Sequence, residues 1–117
     1  MSLLSITFFI VGASIVGALL VIIRAHQYPA KVRKAQEYLD NGDIAKASEI
    51  VKLVLERKKD YIPARYLRAQ ILIQQKQYLL AIAELNGILS IPDFDKYVEE
   101  LNIHYQLADL YHETQQW

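Results

Sequence analysis

Two kinds of apolar pattern divide this chain. Residues 3–23 read LLSITFFIVGASIVGALLVII, 21 positions without a charge. Past Tyr28 the apolar positions recur at helical spacing instead. Val32, Ala35, Tyr38 and Leu39 form one stripe, and Ile44, Ala47, Ile50, Val51, Val54 and Leu55 the next. Between them lies DNGD at 40–43, where Gly42 suits a positive φ and Asp43 suits a helix N-cap. The pattern predicts an antiparallel helical hairpin. It then repeats: Tyr66, Ala69, Leu72 and Ile73, a turn at QKQ 75–77, then Tyr78, Ala81, Ile82, Leu85, Ile88 and Leu89.

The two hairpins share a period. Pro29 and Pro63 stand 34 apart, as do Ala30 and Ala64, Ala35 and Ala69, Tyr38 and Leu72, Ala47 and Ala81, Val51 and Leu85, and Val54 and Ile88. Small residues fall on small and large on large. Both prolines suit a first helical turn, where a missing N–H costs nothing. A third copy starts later: Tyr105, Ala108, Tyr111 and Trp117 match Tyr66, Ala69, Leu72 and Tyr78 at an offset of 39. About five extra residues enter near IPDFDKYVEE, where Asp93 or Asp95 is expected to cap an extended helix. The sequence ends where the second helix of that unit would begin. Leu107, Leu110, Tyr111 and Trp117 are then expected to lack a full cover, in a fragment of a longer protein or against another chain.

A helix–turn–helix unit of 34 residues resembles the tetratricopeptide repeat. The residues that carry the resemblance are Ala35, Tyr38, Gly42 and Ala47, then Ala69, Leu72, Tyr78 and Ala81. The Trp-x-x-Leu-Gly signature is absent, and Ala stands where Gly is usual. The fold implied is all-α: an N-terminal transmembrane helix, then about two and a half antiparallel helix–turn–helix units in a right-handed α-solenoid. The domains expected are an anchor at 1–24 and a repeat region at 25–117, with units near 29–62 and 63–92 and a partial one at 93–117.

As a helix, the 21-residue apolar stretch spans about 31 Å, one hydrocarbon core. No Lys or Arg precedes it, and it exceeds the apolar core of a signal peptide. It is therefore read as an uncleaved single-pass anchor. Arg24, Lys31, Arg33 and Lys34 follow it, with no acid before Glu37. The positive-inside rule then puts the N-terminus outside and the repeats in the cytoplasm. The same cations suit anionic headgroups, at about 1 kcal/mol each near the surface. Ala13 and Gly17, and Ser14 and Ala18, are spaced by four, which lets membrane helices approach closely.

Composition removes several chemistries. Formal net charge is zero and cysteine is absent, so neither bulk attraction to nucleic acid nor a thiolate site is expected. No phosphate-binding Gly-rich loop, His-Glu-x-x-His or nucleophile elbow occurs. His104 and His112 are eight apart, too far for one ion, so no metal or cofactor is expected. The basic run Arg57-Lys58-Lys59 suits a helix C-terminus.

What remains is a surface for a protein or peptide partner. In tetratricopeptide proteins the first helix of each unit lines a concave groove. Carried over, the groove residues are Val32, Gln36 and Leu39, then Tyr66, Gln70 and Ile73, then Tyr105, Asp109 and His112. Members that clamp a peptide carboxylate use Lys and Asn where this chain has Val32 and Gln36. The resemblance implies a non-catalytic membrane-anchored adaptor or scaffold. The alternative is a structural subunit of a secretion or flagellar-motor type complex, assembling as an oligomer through the anchor and last helix. The layout also resembles bacterial inner-membrane adaptors that control lipopolysaccharide assembly. Those carry a Cys-rich metal module, which this cysteine-free chain lacks.

Overall fold

The computed structural model describes residues 3–115, apart from the side chains at 21 and 23–26. Every regular element among them is helical: α1 (Leu3–Asp40), α2 (Ile44–Arg57), α3 (Ile62–Gln74), α4 (Tyr78–Leu89), a 3₁₀ turn (Phe94–Lys96) and α5 (Glu100–Glu113). The chain forms two compact units, Met1–Ala30 and Lys31–Trp117. Trp117 and its expected match to Tyr78 lie outside the described residues.

Over Leu3–Leu20, α1 carries no charge. Leu3–Leu20 has a mean hydropathy of 2.4, and none of it is buried by other parts of the chain. Among the described residues it is the one helix long and apolar enough to cross a membrane, a test a signal sequence also passes. Its hydroxyls are satisfied within the helix: Thr7 Oγ1 donates to Leu3 O (2.8 Å) and Ser14 Oγ to Ile10 O (3.0 Å).

Pro29 departs from the sequence reading. It lies inside α1, not at a helix start, because the apolar helix continues without interruption into the first repeat helix. The missing N–H leaves the carbonyl four residues back without a helical donor. Pro63 does occupy the first turn of its helix.

The second unit is built from hairpins whose turns are copies. The Gly42 N–H donates to Leu39 O (3.0 Å) and the Asp43 N–H to Tyr38 O (2.8 Å). This is the paired bonding of a Schellman C-cap. The Lys76 N–H donates to Ile73 O (3.0 Å) and the Gln77 N–H to Leu72 O (2.9 Å), each 34 residues on. At the third helix the Gln115 N–H donates to His112 O (3.1 Å). Gly42, Lys76 and Gln115 all take positive φ, +83°, +61° and +56°. The turn thus imposes its left-handed residue even where the sequence supplies no glycine. The Asp43 carboxylate caps α2 by accepting from the Lys46 N–H (3.2 Å).

Alanine and aliphatic positions close the hairpins. Ala35, Ala47, Ala69 and Ala81 are fully buried, as are their large neighbours Val54, Leu85 and Ile88. One cluster joins α3, α4 and α5 through Ile62, Ala69, Leu85, Ile88, Ile103 and Leu107. Burying each such aliphatic side chain stabilises by about 1.5–3 kcal/mol.

The linker before α5 corrects a second expectation. Neither Asp93 nor Asp95 caps a helix. Asp93 is left-handed (φ +60°) ahead of the 3₁₀ turn, and α5 starts only at Glu100, after Glu99. The extra residues are absorbed in this turn, whose Phe94 and Val98 pack onto the α3–α5 core. Leu107 and Leu110 correct a third: both are buried against that core. The side of α5 left open is another one, holding Leu101, Tyr105 and Ala108.

Lys76→Gly is expected to stabilise the repeat region by about 1 kcal/mol, by removing the left-handed penalty of a side-chain-bearing residue. Urea unfolding of the full chain in detergent, followed by far-UV circular dichroism, checks this; a lower midpoint than wild type contradicts it.

Candidate protein-binding groove

The nine groove residues do not share one environment. Leu39 is 3% exposed, so it belongs to the core and offers nothing to a partner. Its position follows the turn: its carbonyl accepts from Gly42, which draws the last turn of α1 against the start of α2. Gln36 is exposed, and its Nε2 donates to Asp40 Oδ1 (2.8 Å) one turn on. Val32 is half-buried.

On α3, Tyr66, Gln70 and Ile73 lie on one face and are half-buried. Two of them are joined to α5 by a residue the sequence reading did not single out. Gln106 Nε2 donates to the Tyr66 hydroxyl (2.6 Å), and Gln106 Oε1 accepts from Gln70 Nε2 (2.7 Å). This three-member chain bridges α3 and α5. The signal for Gln106 was present: at the 39 offset it stands where the preceding unit has the buried Leu67. Beyond the bridge Tyr105 is 64% exposed, and Asp109 and His112 are exposed one and two turns further along α5. Of the expected groove residues, Gln36, Tyr105, Asp109 and His112 are exposed, and Val32, Tyr66, Gln70 and Ile73 are half-buried.

A second cluster lies away from the groove, between α3 and α4. Glu84 Oε1 accepts from Arg65 Nε (2.9 Å), and both Glu84 oxygens accept from Arg68 Nη2 (2.8 Å each). Arg65 also reaches Asp60 (3.4 Å). The Arg65 and Glu84 side chains are only 16% and 11% exposed, against 43% for Arg68. Gly87 makes the room: a Cβ there would lie 2.5 Å from Arg65 Nη2. Sequence reading missed this cluster, since its α3 and α4 members are 16 to 22 residues apart and no single helix pattern links them.

Where the 3₁₀ turn meets the start of α3, burial and then the neighbouring Tyr97 push the Tyr61 phenol above its ordinary range. The Lys58 ammonium sits 5.1 Å from the Tyr61 ring centroid. His104 Nε2 lies 3.4 Å from Glu100 Oε1 on the same helix. Among the described residues no three His, Cys, Asp or Glu side chains converge to hold a metal ion.

Around α1 a shallow surface groove of about 610 Å³ is lined by Phe8, Phe9, Gly12, Ala13, Val16, Gly17 and Leu20. Ala13 and Gly17 lie in it. Ser14 and Ala18 do not line it, and the Ser14 hydroxyl is already bonded to Ile10 O. Of the basic residues, Lys31, Arg33 and Lys34 are exposed; the Arg24 side chain lies outside the described residues.

A family model described as the tetratricopeptide repeat matches residues 28–61. That span holds the buried Ala35 and Ala47, the Gly42 turn and the Asp43 cap. The chain therefore carries a tetratricopeptide repeat, which marks a protein–protein interaction module of a typically non-catalytic fold. No curated protein and no solved structure matches the chain.

Glu84→Ala is expected to cost about 1–3 kcal/mol, because it strands the largely buried Arg65 guanidinium. Arg68→Ala, at a far more solvated position, is expected to cost under about 1 kcal/mol. Chemical denaturation of both variants checks the order; equal losses contradict it.

Proposed function

We propose that this protein is a membrane-anchored tetratricopeptide adaptor that holds a protein partner beside the membrane and catalyses nothing. The observation that carries the reading is the pre-ordered Tyr66–Gln106–Gln70 floor with Tyr105 and Asp109 exposed beside it. Such a surface suits an extended or helical peptide: Tyr adds contact area at low entropic cost, and the ordered amides need no further reorganisation. Residues 1–24 act as the anchor and 25–117 as the repeat region, with units near 29–62 and 63–92 and a partial one at 93–117. The repeats face the cytoplasm, on the positive-inside argument from Lys31, Arg33 and Lys34. By its architectural resemblance to envelope adaptors, the membrane is a bacterial inner membrane. Anchoring raises the local concentration of the groove for partners at the same surface.

A second reading, an assembling subunit of a larger envelope complex, is favoured by the groove around Ala13 and Gly17. Among the described residues, and apart from the helix's own neighbouring backbone, nothing lies within 4 Å of a Cβ built at Gly12 or Gly17. A larger side chain there would meet a partner helix packed on this face.

Capture with the intact protein in detergent, beside a Tyr105→Glu/Asp109→Lys variant, tests the adaptor. The expected result is one protein retained by wild type and reduced at least tenfold by the variant, with helical content unchanged. Equal retention by both contradicts the groove. Gly17→Ile separates the two readings: crosslinked dimer that disappears in this variant supports the subunit.

Because the chain has no cysteine, a Cys at exposed Leu79 gives a unique label. Protection from impermeant maleimide in intact cells is expected, and labelling from outside reverses the orientation.

A further inference from the structure

The two complete hairpins differ at one four-residue constellation. Arg65, Arg68, Glu84 and Gly87 of the second have as their counterparts, 34 positions earlier, Lys31, Lys34, Ile50 and Leu53. The counterparts also come together, lining one depression of about 230 Å³. The geometry is thus kept while the chemistry is changed. The second hairpin neutralises its two cations with the Glu84 carboxylate and leaves Gly87 open for the Arg65 guanidinium. The first has an aliphatic side chain in each of those places. Among the described residues neither Lys31 nor Lys34 has an ion-pair partner. Nearby Glu37 and Glu49 are both exposed and close no bridge to either lysine.

An exposed basic pair beside exposed aliphatic carbon is the chemistry of an anionic lipid surface. The ammonium groups meet phosphate, while Leu53, itself 53% exposed, lies against the headgroup layer beside them. A carboxylate at position 50 would repel that surface; Ile50 does not. Lys31 lies eleven residues past the end of the apolar window Leu3–Leu20, within juxtamembrane range.

From this we infer that the Lys31–Lys34–Ile50–Leu53 patch is a docking surface for anionic phospholipid headgroups. The inference rests on the anchored reading above. Each basic residue at an anionic surface contributes about a fivefold preference, so the pair gives roughly twenty-five-fold.

The test uses the full chain with exposed Glu49→Cys, beside the patch but outside it, as its only cysteine, carrying a fluorophore. It is reconstituted in phosphatidylcholine vesicles and in equal parts phosphatidylcholine and phosphatidylglycerol, with a headgroup-attached nitroxide quencher. Retention through a carbonate wash in both lipids reads the anchor; quenching at position 49 reads the patch. The expected result is strong quenching only with phosphatidylglycerol, falling to the neutral-lipid level in Lys31→Glu/Lys34→Glu and kept in Lys31→Arg/Lys34→Arg. Equal quenching in both lipids, or full quenching in the charge-reversed variant, overturns the inference while leaving the anchor standing; an acidic protein segment is then the occupant to seek. Loss of the protein in the wash overturns both.

Discussion

The repeat region depends on one constraint: two helices must approach closely enough that only a methyl group fits between them. Ala69 and Ala81 share one core cluster, and all four matched alanines, Ala35 and Ala47 with them, are fully buried. Close approach of the backbones brings the flanking aliphatic side chains into contact at interior packing density, where dispersion and burial add together. It also sets the turn. Helices that close need a tight reversal, and the Schellman bonding supplies one by satisfying the last carbonyls with the N–H groups that follow. The reversal requires a left-handed residue, and Lys76 and Gln115 adopt it although neither is glycine. Tertiary packing prevails there over local preference.

The repeated helices meet different neighbours, and the sequence records the difference at matched positions. On α3, Ala64, Leu67 and Ile71 are buried on the side facing the preceding hairpin. The same positions on α1 are Ala30, Arg33 and Glu37, all exposed. Charge there keeps that face in water, as a terminal repeat requires. On α5 the matched positions are Ile103, Gln106 and Leu110; the two aliphatics are buried and Gln106 bridges to α3. The opposite side of α5 matches the positions by which α3 packs on α4. Where Ile62 and Ala69 are buried, Leu101 and Ala108 are exposed.

Polar interactions distinguish the hairpins more than apolar ones do. Arg65, Glu84, Arg68 and Gly87 form a partly desolvated cluster that ties α3 to α4. The lysines at the matched places face aliphatic carbon and remain solvated. The bridge between α3 and α5 works similarly. Tyr66, Gln70 and Gln106 satisfy one another, and Tyr105 and Asp109 beside them stay exposed. One backbone template thus carries an internal clamp, an exposed basic face and a polar bridge in different places.

The sequence by itself determined the period, the helical hairpins, the Gly42 turn, the Asp43 cap and the apolar run. Each depends on residues close along the chain, through helix periodicity, left-handed φ or side-chain-to-backbone bonding. Only the tertiary structure decided which matched positions are covered, because covering is supplied by helices distant in sequence. It made Leu39 core rather than groove, buried Leu107 and Leu110, and moved the open side of α5 to Leu101, Tyr105 and Ala108. It also joined Gln106 to Tyr66 and Gln70 across 40 and 36 residues, and Arg65 to Glu84 across 19. A local pattern carries no information about such pairs, since bringing them together is the work of the packed hairpins.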